Sequence, residues 1–181
     1  EMVNEDSELY RKHPDWILAA PGRAKSHGRY QYVLDFSRAE VVDCICEMMS
    51  DILRKAKVSY VKWDMNRSIT ECFSAVLPTE RQGEVYHRYI LGVYELYDRL
   101  TKAFPEVLFE SCASGGGRFD PGMLYYAPQG WISDDTDGVE RMKIQYGTSL
   151  CYPISSMGSH VSMVPNHQVY RNTPLHTRAN V

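Results

Sequence analysis

No apolar run in this 181-residue sequence approaches the roughly 20 residues that a membrane-crossing helix needs, so no membrane partner is expected. Charge of either sign is nearly balanced. A formal net charge of −3 gives no electrostatic case for nucleic acid as a partner. Cysteine is sparse and irregular: Cys44, Cys46, Cys72, Cys112 and Cys151 form no disulfide framework, and a reduced, cytoplasmic setting is expected. Cys44 and Cys46 lie two apart on an expected helix and face different ways, which argues against a zinc clip there. The opening residues, Glu1-Met2-Val3-Asn4-Glu5-Asp6, are acidic and polar, so no signal peptide is expected on this chain. No internal repeat, low-complexity segment or linker interrupts it.

What is present is strand and helix in alternation, the pattern of a parallel α/β sheet or barrel. Residues 30–36 form a β-prone run, after which Ser37 offers an N-cap. A helix then places Val41, Val42, Ile45, Met48, Met49, Ile52 and Leu53 on one stripe. Val58 to Trp63 reads as a strand, and Val85, Tyr89, Val93, Leu96, Tyr97 and Leu100 mark a second long helix. Val107 to Ser111 and Trp131 to Ser133 read as short strands. Val139, Met142, Tyr146 and Leu150 mark a third helix, and 158–164 a last strand. The length suits one core, yet it is short for a closed eight-stranded barrel of about 250 residues.

Two acidic strings close apolar runs: Lys62-Trp63-Asp64-Met65-Asn66-Arg67 and Trp131-Ile132-Ser133-Asp134-Asp135-Thr136-Asp137. Parallel barrels present their chemistry at that end of the strand. Two carboxylates converging on one pocket are the usual equipment for cleaving a glycosidic bond. Successive strand residues point to opposite faces, so Lys62 and Asp64 share a face and Trp63 takes the other. Glu110 with Cys112, and Ile132 with Asp134, share faces in the same way. If the inward faces meet at a barrel top, Lys62, Asp64, Cys112 and Asp134 line one mouth.

Other uses of these residues stay open on spacing alone. Capping the next helix is the commonest job of an Asp after a strand, although Lys62 on the same face would hold Asp64 ionised, as a nucleophile requires. The cluster from Asp134 to Asp137 reads as a charged helix start, a divalent-metal site or the seat of one catalytic acid. The helix start leads, with Asp137 and Glu140 in it, and the spacing fits no known calcium loop. Ser114-Gly115-Gly116-Gly117-Arg118 lacks the ending of a phosphate loop; its glycines let backbone approach any ligand closely. His160 and His167 read as structural. His13-Pro14-Asp15 matches the J-domain tripeptide but in the wrong fold class, and Asn66-Arg67-Ser68 is a glycosylation sequon by pattern only.

Taken together, ordered motifs make this chain resemble glycoside hydrolase family 36, the bacterial-type α-galactosidases. They run from Glu1-Met2-Val3 and His13-Pro14-Asp15-Trp16 through 62–67, 110–126 and 133–149 to 156–168. The resemblance implies an α/β fold that is a partial (β/α)8 TIM barrel, roughly strands three to seven with their helices. Residues 1–181 would then be an incomplete catalytic barrel domain, truncated at both ends. It implies a retaining hydrolase of terminal α-linked galactose, as in raffinose and melibiose, with no metal and no organic cofactor.

The family nucleophile falls on Asp64 and the family acid/base on Asp134. Sugar ligands carry over to Arg29, Lys62, Trp63 and Asn66, and the galactose-contacting loop to Cys112, Gly115 and Gly116. The paired aspartates of the family's first barrel strand have no counterpart here. The 181-residue chain alone is therefore expected to be inactive and poorly stable, and the full-length parent to be a homo-oligomer. A galactosyl transferase of the same superfamily, a carbohydrate-binding fragment without turnover and a metal-dependent phosphoryl-transfer domain are the competing readings.

Overall fold

The computed structural model describes residues Glu1–Val181 and divides into two compact units. The first comprises Glu1–Ser59 and Met65–Val107; the second comprises Tyr60–Asp64 and Leu108–Val181.

In the first unit, β1 (Met2–Val3) pairs antiparallel with β2 (Tyr32–Val33). The β-prone run at 30–36 is thus a two-residue strand, its first two residues, Tyr30 and Gln31, being spent on a tight turn. Gly28 and Gln31 exchange backbone hydrogen bonds of 3.1 and 3.2 Å around Arg29 and Tyr30. Both central residues have positive φ, 54° and 60°, as a type I′ turn demands. Helix α1 (Glu8–Lys12) starts at Ser7, whose hydroxyl accepts from the Tyr10 amide.

Helix α2 (Ala39–Lys55) packs on α3 (Val85–Ala103). The six apolar residues expected on α3, from Val85 to Leu100, are all buried. On α2 the expected stripe is rotated. Val41, Val42, Cys46, Ser50 and Leu53 are buried, while Met48 and Ile52 are about half exposed, at 49% and 52%. Ser37 is not the N-cap. Its hydroxyl donates to the buried Asp35 carboxylate at 2.5 Å, which Ser74 also engages, so the helix starts after Arg38 without a side-chain cap.

The second unit holds a parallel three-stranded sheet in the order β3-β4-β5. β3 (Tyr60–Asp64) and β4 (Leu108–Cys112) pair in register, Lys62 opposite Glu110 and Asp64 opposite Cys112. β5 (Gln129–Gly130) adds to the far side of β4. Helix α4 (Pro121–Tyr126) precedes β5; α5 (Gly138–Ser149) and α6 (Leu175–Ala179) follow it.

Two expected strands are absent from these positions. Pairing in the 131–133 run stops after Trp131, whose amide donates to the Ser111 carbonyl, because β4 ends at Cys112 and turns away. Residues 158–164 carry no strand: the carbonyls of Gly158 and Ser162 accept from the Arg141 and Arg178 side chains instead of from a neighbouring strand. Helix α5 lies where the periodicity puts it, but its marker residues are not its core. Met142, Tyr146 and Leu150 are exposed, and Gly138 and Arg141 are buried. No helix is long and apolar enough to cross a membrane.

Candidate active site

The C-terminal ends of β3 and β4 lie side by side and carry Asp64 and Cys112. Chain alternation puts Lys62 and Asp64 on one face of β3 and Trp63, half-buried, on the other. Cys112 is buried beside Asp64. Burial, and then the hydrogen bond to that carboxylate, push its thiol up to about 11. After Cys112 the chain reverses: the Ala113 amide donates to the Gly115 carbonyl at 3.1 Å. Ser114, with φ 48°, aims its own amide at Asp64 Oδ1, 3.4 Å away.

This reversal requires glycine. Gly115 has φ 81°, and a β-carbon there would lie 2.7 Å from the Asp134 amide nitrogen. One on Gly116 would collide with the Ile132 carbonyl. The glycine loop after β4 therefore rests directly on the backbone that carries Asp134. One short path, from Asp64 through Ser114 and Gly115 to Asp134, brings the two carboxylate-bearing loops together.

Asp134 is exposed and held at two points. The Trp131 indole Nε1–H donates to its Oδ1 at 2.9 Å, and Gln168 Nε2 donates to its carbonyl at 3.0 Å. The same Gln168 accepts from the Thr136 amide through Oε1, at 2.8 Å. Its neighbours have other work. Asp135 accepts from the Asp137 amide. Asp137, fully buried, caps α5 by accepting from the Val139 and Glu140 amides and pairs with Arg171. The helix-start reading thus holds for Asp137.

The same unit carries an open groove of about 510 Å³ lined by Tyr60, Lys62, Glu110, Trp131 and His160 among others, with neither Asp64 nor Asp134 in its lining. Lys62 Nζ lies 3.3 Å from Glu110 Oε1 and 4.5 Å from the Trp131 ring centre. Tyr60 donates its hydroxyl to Glu110, and burial pushes the Glu110 carboxyl up. The Arg141 guanidinium sits 4.7 Å from the Trp131 ring centre and donates to the carbonyls of Ser133 and Gly158. His160 packs on the same indole at 4.9 Å. Burial first, then the charges of Arg141 and Lys62, lower its basicity.

Of the residues singled out from sequence, Lys62, Trp63, Asp64, Cys112, Gly115, Gly116 and Asp134 belong to the second unit. Arg29 and Asn66 belong to the first, Arg29 exposed at the tip of its tight turn and Asn66 two residues beyond the end of β3. Sequence reasoning gave Trp131 no role. Its spacing three residues before Asp134 was visible, but the reach of its indole was not. Alternation places Glu110 on the Cys112 face without matching it to Lys62, and Gln168 enters only as the last residue of the 156–168 motif, with no role attached.

The melibiase family model matches residues 1–181. The α-galactosidase AgaA of Geobacillus stearothermophilus is 62% identical over all 181 residues, which make up 25% of that protein. The α-galactosidase 1 of Pediococcus pentosaceus is 54% identical, with the same coverage. Among solved structures, the α-galactosidase from Lactobacillus brevis superposes with a TM-score of 0.97 at 59% identity, over 99% of this chain and 24% of that one. A variant of the Geobacillus enzyme solved in complex with raffinose gives a TM-score of 0.95 at 62% identity, over 98% of this chain and 25% of that one. The chain thus spans about a quarter of the length of these relatives. With the family model covering every residue, the chain belongs to the melibiase family and, within it, to glycoside hydrolase family 36.

Proposed function

We propose that residues 1–181 form part of the catalytic barrel of a retaining α-galactosidase, roughly its third to seventh strands. The substrates are α-galactosides such as raffinose and melibiose. The observation that carries this reading is the junction of the strand-end carboxylate Asp64 with Asp134, on the connection after β5, through one loop, with Ser114 N–H on Asp64 and Gly115 against the Asp134 amide. The raffinose bound to the Geobacillus relative supports the choice of substrate.

In this reading Asp64 attacks the anomeric carbon and forms a glycosyl-enzyme while the glycosidic C–O bond breaks. Asp134 gives its proton to the departing oxygen, then takes one from the incoming water, which displaces Asp64. Retaining enzymes hold the two carboxyls about 5–5.5 Å apart. Arg29, Lys62, Trp63, Asn66, Cys112, Gly115 and Gly116 are assigned to the sugar by family correspondence, Trp63 by that alone because it lies on the opposite face of β3 from Lys62 and Asp64. Neither step needs a metal or a cofactor, so activity is expected to persist in EDTA. A cytoplasmic, homo-oligomeric parent completes the proposal.

The test is the anomeric configuration of the first product. The full-length chain that carries residues 1–181 should release α-galactose from raffinose, as followed by proton NMR before mutarotation. Release of β-galactose overturns the double displacement. Transfer to sucrose in preference to water would assign the chain to the transferases.

A further inference from the structure

The side chain that touches Asp134 is an indole on the same strand-to-helix connection. Trp131 Nε1–H donates to Asp134 Oδ1 at 2.9 Å. An indole N–H is a donor only, so it has one possible use against a carboxyl: it holds one oxygen and leaves the other for a proton. A donor of this kind has value only if it is itself fixed. Here the ring is held by Lys62 at 4.5 Å, Arg141 at 4.7 Å and His160 at 4.9 Å. The arginine is 3% exposed and anchored on the carbonyls of Ser133 and Gly158, and the lysine is tied to Glu110. Cations near an aromatic ring are attracted by its quadrupole. Trp131 thus joins Lys62, on β3, to Asp134 through one rigid group.

We propose that Trp131 is a positioning residue for the acid/base carboxyl: its Nε1–H fixes Asp134 Oδ1, and Lys62 and Arg141 fix the indole. The inference rests on the acid/base reading of Asp134. It assigns Trp131 no contact with the reacting atoms. The ionisable groups around the indole and the carboxyl are Tyr60, Lys62, Glu110, Arg141, His160 and Asp135. None of them replaces the indole as a donor to Oδ1.

The test uses Trp131→Phe in the full-length chain, together with replacement of Trp131 by 3-benzothienylalanine, which keeps the shape and substitutes sulfur for N–H. Both should lower kcat/KM on raffinose by about tenfold or more, with a smaller loss on an aryl galactoside whose departing oxygen needs little protonation. In an Asp134→Ala background the Trp131→Phe change should add no further leaving-group dependence. Equal loss on both substrates, or the same leaving-group effect without Asp134, overturns the positioning role. If Asp134→Ala alone shows no leaving-group dependence, the acid/base reading itself fails, and that single variant identifies which claim was wrong. The benzothienyl variant decides the matter if Trp131→Phe does not fold.

Discussion

Gly115 lies so close to Asp134 that a β-carbon on it would sit 2.7 Å from the Asp134 amide nitrogen. Gly115→Ala must therefore either push the Asp134 backbone away or leave its own φ of 81°. A displacement of about 1 Å in a catalytic group costs on the order of 10²-fold in rate. Gly115→Ala should lower kcat on raffinose by about that factor, with the smaller share of the loss in KM. Steady-state kinetics on the full-length chain check this, and wild-type turnover would show that the loop and Asp134 are not mechanically joined.

Asp134→Ala should cost roughly 10²–10⁴-fold on raffinose, the usual worth of a general acid, and much less in the first step on an activated aryl galactoside. Glycosyl-enzyme should accumulate, because the base for the second step is gone. Burst kinetics and intact-protein mass spectrometry measure both effects. The same dependence appearing in Asp135→Ala would move the role by one residue.

Asp137 belongs to the fold rather than to the reaction. It is fully buried and caps α5. Asp137→Ala should cost about 1–2 kcal/mol through the cap alone. Asp137→Asn should cost less, because an amide oxygen still accepts from the helix amides. Neither variant should show leaving-group dependence. Thermal unfolding of the full-length variants separates the two.

Cys112 gives a prediction with a pH sign. Its thiol is pushed up to about 11 by burial and by the Asp64 carboxylate. The folded state thus keeps this proton more tightly than an unfolded chain does, so the contribution to stability is intact below the ordinary thiol value of 9 and is lost as pH rises towards 11. Iodoacetamide at pH 8 should label exposed Cys151 and spare Cys112. Asp64→Asn removes a negative charge and should bring Cys112 labelling to lower pH. Peptide mapping reads both, and prompt labelling of Cys112 at pH 8 would contradict the burial argument.

Much of this was legible in the sequence, and the failures have local causes. The α3 stripe was read correctly because its apolar residues recur at three and four along nineteen residues. The β3 and β4 runs were read within two residues, because apolar residues end there at Asp64 and Cys112. The run at 158–164 failed because arginine side chains, which no periodicity records, take carbonyls that a ladder would have used. Ser37 failed because Asp35, buried two residues earlier, competes for its hydroxyl. On α5 the apolar period marks the helix but does not show which residues it buries. Arg141 is buried beside Gly138, being spent on Trp131 and on the carbonyls of Ser133 and Gly158. At the site, side-chain alternation along β3 and β4 was enough to group Lys62, Asp64 and Cys112. The reach of Trp131 to Asp134 depends on how the chain leaves the sheet after Gly130, and that is settled by the glycine loop on the neighbouring strand.

The central claim is that Asp64 is the group that attacks the sugar. The most direct measurement is the activity of Asp64→Ala, in the full-length chain, on an aryl α-galactoside with and without azide. Without azide, turnover should fall nearly to background. With azide, which fits the space the carboxylate leaves, it should partly return, and the product should be β-galactosyl azide because a single displacement inverts the anomeric carbon. Near-normal turnover of Asp64→Ala without azide, or rescue that gives the α-azide, would contradict the account.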